Sequence, residues 1–326
     1  MPALGTVQLG LPYGAANTSG MPSAEEATAI ILYALEHGFL HLDTAHGYAL
    51  SQERLGAALG AAALAGLPAP TVVTKLDTTI ATAASAAEVA VIVDKSVANS
   101  CAVLKLRPLH VVCLHVWANH GPALHGGAAW ERLKHHKAQG AIARIGTSTY
   151  TPEEVKEALQ DPECGHIQLP FNLIDWRWRE AGIAEAFAAR PDVTVHARSC
   201  FLQGILASDT SECWPAKFGR EIADEYLAKM EELIASCGRK NRADLCLAYT
   251  RAQPWVTEAL VGAETMDQLV ELAQLWDKPP LSSEQVALVD STLPRAPADL
   301  LNPGKWLDPK DNNFSGAFNK GQLGPR

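Results

Sequence analysis

Eight short apolar segments alternate along this chain with longer segments that have the periodicity of amphipathic helices. The apolar segments are rich in Val, Ile and Leu without strict polar alternation, which is typical of strands buried on both faces. They cover residues 4–10, 38–43, 71–75, 109–115, 141–148, 165–172, 193–199 and 257–262. This alternation predicts a parallel sheet in which each strand is followed by a helix.

The intervening segments begin and end with residues that are typical of helix termini. Ser23 begins one of them, with Glu26 three residues on as a capping box, and Gly38 follows its end. Thr151 and Pro152 begin another, with Pro in the first helical position. Further helices are predicted over residues 51–65, 85–105, 127–138, 177–189, 241–252 and 264–276.

Eight strand–helix units in one run predict an α/β fold of the closed (β/α)8 type, the TIM barrel. A doubly wound open sheet is the structural alternative. We predict one catalytic barrel domain over residues 1–301, decorated by a helix over 217–236 and by extra C-terminal structure after 279. The tail, residues 302–326, is rich in Pro, Gly, Asn and Lys. We expect it to form a loop over the barrel mouth or to be disordered.

The composition argues against several classes of protein. A formal net charge of −9 and a pI near 5.7 disfavour nucleic acid and anionic membranes as partners. No segment approaches the roughly 20 apolar residues of a transmembrane helix, and the MPAL start lacks the features of a signal peptide. The seven cysteines form no CxxC pair, and the eleven histidines form no HxxxH or HExxH motif on one helix face, so neither a disulfide framework nor a zinc site is predicted. We expect a cytoplasmic protein.

Four polar residues stand at or just past predicted strand ends: Asp43 and Tyr48 in HLDTAHGY, Lys75 in TVVTK and His115 in LHVVCLH. The carboxyl ends of barrel strands share one open face, so we expect the four to lie together. A free tyrosine has a pKa near 10; we expect Lys75 to lower it and Asp43 to keep Lys75 charged. Tyr48 then protonates the oxygen of a carbonyl that His115 orients. None of these groups supplies electrons, so a reduction needs an external hydride donor.

The chain resembles the aldo-keto reductases over nearly its whole length. HLDTAHGYALSQERLG is similar to that family's DTAxxYGxSExxLG signature, and the likeness continues through VVTK, CLH, IGTSTY, IQLPFN and VGAETMDQL. The family has a (β/α)8 barrel that binds a nicotinamide cofactor without a GxGxxG loop, and this chain has no such loop. The resemblance implies an NAD(P)H-dependent oxidoreductase that interconverts an aldehyde or ketone with an alcohol, with Tyr48, Lys75, Asp43 and His115 as its catalytic residues.

The resemblance also implies which residues bind the cofactor. Ser148 and Gln168 would hold the nicotinamide carboxamide, and Thr149 stands where the family usually has Asn. Arg198 stands where an aromatic ring commonly stacks on the nicotinamide. The pyrophosphate would be lined by Ser199, Phe201, Gln203 and Gly204, and the adenosine end by Gly262, Ala263, Glu264, Gln268 and Glu271.

The adenosine positions bear on the choice of cofactor. Members that prefer NADPH often have a Lys-Ser pair and an Arg where this chain has Gly262, Ala263 and Gln268. Glu264 and Asp267 add negative charge nearby, and a phosphate dianion without a cationic partner is disfavoured. The sequence therefore favours NAD(H) over NADP(H).

The substrate pocket is less defined by the sequence. His46 and Trp117 stand beside catalytic positions and would wall the pocket, although a tryptophan is as readily a packing residue. A sugar or another small polar carbonyl compound fits such a pocket. Two other functions stay open: a regulatory protein that binds the cofactor with little turnover, and a cofactor-free lyase or isomerase that uses Lys75 as a Schiff base.

Overall fold

The computed structural model describes residues 2–121 and 123–306. Eight parallel strands pair in sequence order and form a closed barrel, because β1 pairs with both β2 and β8. The predicted (β/α)8 barrel is therefore confirmed and the open sheet is excluded. The strands are β1 (Ala3–Gly5), β2 (His41–Asp43), β3 (Thr71–Lys75), β4 (Leu109–Leu114), β5 (Ile142–Ser148), β6 (Cys164–Pro170), β7 (Thr194–Arg198) and β8 (Glu258–Gly262).

The helices surround the barrel and bury their apolar faces against it. They are α1 (Ala24–Glu36), α2 (Ser51–Leu64), α3 (Ala86–Leu104), α4 (Trp117–His120), α5 (Ala128–Ala138), α6 (Pro152–Ala158), α7 (Arg177–Glu180), α8 (Ile183–Ala188), α9 (Arg220–Cys237), α10 (Arg242–Arg251), α11 (Met266–Trp276) and α12 (Ser283–Thr292). Both predicted additions are present, since α9 is inserted between β7 and α10 and α12 follows α11. None of the helices within the described ranges has the length and apolar content that crossing a bilayer requires.

The helix termini follow the local chemistry that predicted them. The Ser23 hydroxyl accepts from the Glu26 amide, and the Glu26 carboxylate accepts from the Ser23 amide at 2.8 Å. Thr151 and Glu154 form the same capping box at the start of α6, with Pro152 in the first helical position. Such a box satisfies two backbone donors that would otherwise lack a helical partner.

Three predicted elements are shorter or broken in the structure, and one of them is the strand predicted over 38–43, which begins at His41. The strand predicted over 4–10 ends at Gly5, and Val7–Leu9 is a 3-10 helix. Thr6 causes the departure, because its hydroxyl donates to the Asp43 carbonyl at 2.7 Å and draws the chain toward the end of β2. The helix predicted over 177–189 is interrupted at Gly182, whose φ of +65° lies in the left-handed region.

The barrel interior carries polar side chains in two layers. Side chains two residues apart on a strand point to the same face, so one strand contributes to both layers. The mouth layer, at the carboxyl ends of the strands, consists of Asp43, Lys75, Gln168 and Arg198. The inner layer, nearer the amino ends, consists of His41, His166, His196 and Glu258. A barrel interior is ordinarily dominated by Val, Ile and Leu, but the apolar cluster here contains only Val73, Val111 and Cys113 among the described residues.

Only the first part of the predicted tail is described. Pro303–Lys305 form a 3-10 turn, and Trp306 is buried with its indole N–H donating to the Leu300 carbonyl at 2.9 Å. Asn302, Pro303, Gly304 and Trp306 also line the large cavity at the barrel mouth. The prediction for the remainder, residues 307–326, lies outside the described residues.

Candidate active site

The centre of the mouth layer is a buried ion pair between neighbouring strands. Asp43 ends β2 and Lys75 ends β3, and the side chains are 3% and 1% exposed. The Lys75 ammonium donates to both Asp43 oxygens at 2.7 Å and to the Thr44 carbonyl at 3.1 Å. An ammonium has three N–H donors, so every donor of Lys75 has an acceptor. The pair is therefore fixed in place and fully satisfied.

Tyr48 lies over this pair in the loop that follows β2. The loop is closed by hydrogen bonds from the Tyr48 amide to the Ala45 carbonyl and from the Ser51 amide to the Tyr48 carbonyl. Gly10 packs against the Tyr48 carbonyl so closely that any Cβ would clash with it. The Tyr48 ring centroid is 4.9 Å from Lys75 Nζ, and the His115 ring meets it edge-on at 5.8 Å. The four predicted catalytic residues thus lie together at the barrel mouth.

The ionisation of Tyr48 differs from the sequence-based expectation. Burial, followed by the Asp43 carboxylate, raises the pKa of Tyr48 well above its usual value, and the Arg198 guanidinium only partly opposes this. The predicted lowering by Lys75 is wrong for this structure. The main reason is burial, which disfavours the charged phenolate. In addition, Asp43 binds the Lys75 ammonium through both oxygens and compensates its charge. At neutral pH the phenol therefore keeps its proton.

Gln168 connects the ion pair to the cavity. Its side-chain amide donates to Asp43 Oδ2 at 2.8 Å, and the side chain is fully buried. Its Oε1 has no hydrogen-bond partner among the described residues. Ser148 ends β5 directly opposite Gln168 in the parallel register. A buried carbonyl oxygen without a donor, beside a strand-end hydroxyl, is suited to accept from a ligand amide.

A cavity of about 1500 Å³ opens above these residues. All four predicted catalytic residues line it. Among the predicted cofactor contacts, the residues that line it are Ser148, Gln168, Arg198, Ser199, Phe201, Gln203, Gly204, Gly262, Glu264, Gln268 and Glu271. Thr149 and Ala263 are fully buried, and the described residues that line the cavity do not include them. Thr149 faces the protein instead, since its hydroxyl donates to the Gln168 carbonyl at 3.5 Å.

The two predicted substrate-pocket residues lie off the cavity wall. Trp117 is buried in the core, where its indole N–H donates to the Glu157 carboxylate at 2.8 Å and its ring packs edge-on against Trp130. Its role is packing, the alternative that the sequence left open. His46 is partly exposed and its Nε2 lies 3.3 Å from Asp77 Oδ2. Burial opposes ionisation of Asp77, but the hydrogen bonds from His46 and the Thr79 amide prevail and lower the pKa of Asp77 to about 2.

Two tyrosines that the sequence reasoning missed form the pocket wall with Arg198. The Arg198 guanidinium stacks over the Tyr150 ring with its Cζ 4.5 Å from the centroid. Tyr13 and Tyr150 both line the cavity. Burial raises the pKa of Tyr13 to about 12, although Arg198 lowers it. Tyr13 lies in the loop after β1, in the run LGLPYG. A search of the loops that follow the predicted strands would therefore have identified it.

The loop after β7 has a strained backbone and crosses to the loop after β1. Ser199, Leu202 and Gln203 have φ values of 64°, 45° and 57°, and such left-handed residues other than Gly concentrate at functional sites. The Ala16 amide donates to the Gln203 carbonyl at 3.2 Å. A Cβ on Gly204, whose φ is +91°, would lie 2.7 Å from the Ala16 Cβ. The two loops therefore enclose one side of the cavity, and only glycine fits at this crossing.

The far end of the cavity is rich in paired charges. Glu271 Oε1 accepts from Lys240 Nζ at 3.1 Å and from the Asn241 side-chain Nδ2 at 2.9 Å. Gln268 caps α11, because its Oε1 accepts from the Glu264 amide at 2.7 Å. The predicted adenosine residues at this end are thus bonded to the protein itself.

The family model for the aldo/keto reductase family matches residues 3–294. The chain belongs to the aldo/keto reductase family. Among curated proteins it is similar to Protein tas of Escherichia coli (strain K12), with 28% identity over 171 residues, which are 47% of this chain and 49% of that protein. The Shigella flexneri Protein tas matches with the same values. The chain thus spans about half the length of the curated relatives that it matches.

Solved structures with the same fold come from the same family. The holo form of the aldo-keto reductase AKR11C1 from Bacillus halodurans superposes with a TM-score of 0.69 and 21% identity, covering 90% of this chain and 92% of that one. The glycerol dehydrogenase AKR11B4 from Gluconobacter oxydans superposes with a TM-score of 0.68 and 22% identity over the same shares. At these identities the likeness establishes the barrel fold.

Proposed function

We propose that this protein is an NAD(P)H-dependent oxidoreductase that interconverts an aldehyde or ketone with the corresponding alcohol. The observation that carries the proposal is Tyr48, a buried phenol held over the Asp43–Lys75 pair and facing a cavity of about 1500 Å³. Family membership supports the same reaction class.

The residues around the cavity fit a nicotinamide dinucleotide. The unpartnered Gln168 Oε1 would accept from the carboxamide, beside the Ser148 hydroxyl. Gly204 stands at a loop crossing that a Cβ would obstruct, and a Cβ on Gly262 would clash with the Gln8 side chain. Ser199, Phe201 and Gln203 would line the pyrophosphate, as the resemblance implies. When bound, this cofactor supplies the hydride that none of the side chains can supply.

The side chains supply the proton. Because burial keeps the phenol protonated at neutral pH, the Tyr48 hydroxyl can donate its proton to the carbonyl oxygen as the alkoxide develops. The Arg198 guanidinium, which partly opposes the rise in the pKa of Tyr48, stabilises the phenolate that remains. Lys75 holds the Asp43 carboxylate in place through two hydrogen bonds. His115, edge-on to the Tyr48 ring, orients the same carbonyl oxygen. In the reverse direction the phenolate accepts the proton of the alcohol.

The pocket wall favours a hydroxylated or otherwise polar substrate. The phenols of Tyr13 and Tyr150 and the guanidinium of Arg198 provide hydrogen-bond donors around the mouth of the cavity. We propose a small polyhydroxylated carbonyl compound, in the class of sugars, as the substrate. A structural relative named as a glycerol dehydrogenase is consistent with that class.

We further propose NAD(H) as the preferred cofactor. Glu264, Glu271 and Asp209 line the cavity wall that would receive the adenosine. The nearby cations are already engaged, Lys240 with Glu271 and Arg242 with Asp209 and Glu231. A 2′-phosphate would have to break those pairs or remain uncompensated.

The test is a cofactor-oxidation assay with NADH and NADPH against a panel of aldehydes, ketones and sugars. Turnover of at least one polar carbonyl is expected in the wild type and in Tyr33→Phe, a control on α1 far from the cavity. Cofactor binding without any turnover would favour the regulatory alternative. Borohydride trapping of substrate on Lys75 would favour the Schiff-base alternative, which the three hydrogen bonds of a cationic Lys75 oppose.

A further inference from the structure

The inner layer of the barrel contains a cluster of potential metal ligands that no short sequence motif predicts. His41 begins β2, His196 lies in the middle of β7, and Glu258 begins β8. The sequence predicted no metal site because these residues are far apart along the chain. The closed barrel brings them together, on strands that are not all neighbours.

The ligand atoms converge on one point. Glu258 Oε2 lies 2.5 Å from His41 Nδ1 and 3.4 Å from His196 Nε2, and each residue offers a ligand atom within 4.8 Å of the others. Ligands bound at about 2.1 Å to a tetrahedral ion lie about 3.4 Å from one another. Small rotations of the His41 and Glu258 side chains therefore bring the three atoms to the spacing of a tetrahedral site.

The contact between His41 Nδ1 and Glu258 Oε2 has the length of an ion pair but not the alignment of a hydrogen bond. His41 Nδ1, Glu258 Oε2 and both ring nitrogens of His196 have no hydrogen-bond partner among residues 2–121 and 123–306. His196 and Glu258 are 1% and 4% exposed. Buried polar atoms without partners are rare and costly, and an ion is one of the few explanations for a group of them.

The neighbours of the cluster are fixed by contacts of their own. His166 packs edge-on against His196, with the ring centroids 4.4 Å apart. Arg144, on β5, donates to the Gly165 carbonyl at 3.3 Å and to the Thr194 hydroxyl at 2.7 Å. Its guanidinium is therefore bound to groups other than the three candidate ligands.

We propose that His41, His196 and Glu258 form a binding site for a divalent transition-metal ion of the Zn²⁺ class. Two imidazoles and one carboxylate are a common zinc ligand set, and a water molecule would complete the tetrahedron. His41 is 22% exposed and gives the ion an entry path from the amino-terminal end of the barrel.

The ion would be structural rather than part of the carbonyl chemistry. It would join β2 to β7 and β8, which lie on the other side of β1 in the barrel order β7-β8-β1-β2. A bound ion would thus hold together the strands at which the first and last parts of the barrel meet. Binding to the folded state alone raises its stability, so metal should raise the melting temperature.

The test uses the full-length chain without a histidine tag, stripped with a chelator and titrated with Zn²⁺ or Co²⁺. One ion per chain, a higher melting temperature and the visible absorption of four-coordinate Co²⁺ are expected. The variants Glu258→Gln and His41→Asn should each weaken binding at least about tenfold. His136→Gln, which alters a histidine–carboxylate contact with Asp94 on the surface, should bind as the wild type does.

The wild-type titration decides whether an ion binds, and the variants decide where. The proposal is overturned if the wild-type protein binds the ion with a Kd above about 1 mM. Equal affinity in the wild type and in a folded Glu258→Gln protein also overturns it. Glu258→Gln keeps the side-chain volume, and its fold is checked by near-UV circular dichroism before metal is added. Because carbonyl reduction is not the readout, failure of the proposed function leaves this test intact.

Discussion

The mouth layer and the inner layer of the barrel differ in how their polar groups are satisfied, although they are built on the same strands. Asp43 in the mouth layer accepts three hydrogen bonds, two from Lys75 and one from Gln168. Two residues earlier on the same strand, His41 in the inner layer contacts Glu258 without the alignment of a hydrogen bond. Both regions are buried, so burial alone does not explain the difference.

The difference indicates the kind of ligand that each layer is suited to bind. In the mouth layer the protein satisfies nearly every polar atom itself, and it leaves Gln168 Oε1 facing the cavity. That is the pattern of a preorganised site, in which fixed dipoles await the reacting group. In the inner layer several ring nitrogens and a carboxylate oxygen converge without donors, which is the pattern of an ion site.

The largest expected effect is on the chemistry of the mouth layer. Replacing Tyr48 with Phe removes the proton donor but keeps the ring against His115, so kcat should fall by about 10³-fold. Binding of NADH, measured by quenching of tryptophan fluorescence, should be unchanged. Tyr33→Phe is the matched control on α1. Retention of most turnover in Tyr48→Phe would assign the proton to another group.

A paired substitution compares the two layers directly. Asp43→Asn leaves the buried Lys75 ammonium without its counter-charge and should cost about 3–5 kcal/mol of unfolding free energy. Glu258→Gln in the metal-stripped protein should cost about 1 kcal/mol or less, because no aligned hydrogen bond is lost there. Urea unfolding followed by circular dichroism measures both. Equal losses would mean that the inner layer is an ordinary ion pair.

The cofactor preference should be a smaller effect, of about tenfold. The carboxylates at the far end of the cavity should make KM for NADPH at least about tenfold higher than KM for NADH. Steady-state kinetics with one carbonyl substrate and both cofactors gives the ratio. A tenfold preference in the opposite direction would mean that Lys240 or Arg242 leaves its carboxylate for the 2′-phosphate.

The smallest expected effect is in the pH profile of the reduction. The pKa of Tyr48 is raised, so the protonated phenol that a reduction needs predominates at every pH below the ordinary tyrosine value of about 10. The rate of reduction should therefore show no tyrosine titration between about pH 7 and pH 9. Alcohol oxidation needs the phenolate and should accelerate over the same range. A decline in the reduction rate from neutral pH upward would indicate a lowered pKa.

The sequence predicts the positions of residues that stand at strand ends. The pairing of Asp43 with Lys75 could be predicted because neighbouring parallel strands end at the same rim of the barrel. The side-chain directions of Trp117 and Thr149 could not be predicted, because Thr149 directly follows β5 and Trp117 begins α4 three residues after β4. The pKa of Tyr48 was predicted with the wrong sign because burial is a tertiary property. The inner layer stayed hidden because its residues share no local spacing.

The most direct test of the proposed chemistry follows the hydride itself. NADH that carries deuterium at the transferable position of the nicotinamide is incubated with the protein and a polar aldehyde, and the alcohol is analysed by mass spectrometry. One deuterium on the new carbinol carbon is expected with the wild type, and almost no alcohol with Tyr48→Phe at equal cofactor occupancy. Unlabelled alcohol from the wild type, or labelled alcohol formed at an undiminished rate by Tyr48→Phe, would refute the proposed hydride and proton transfer.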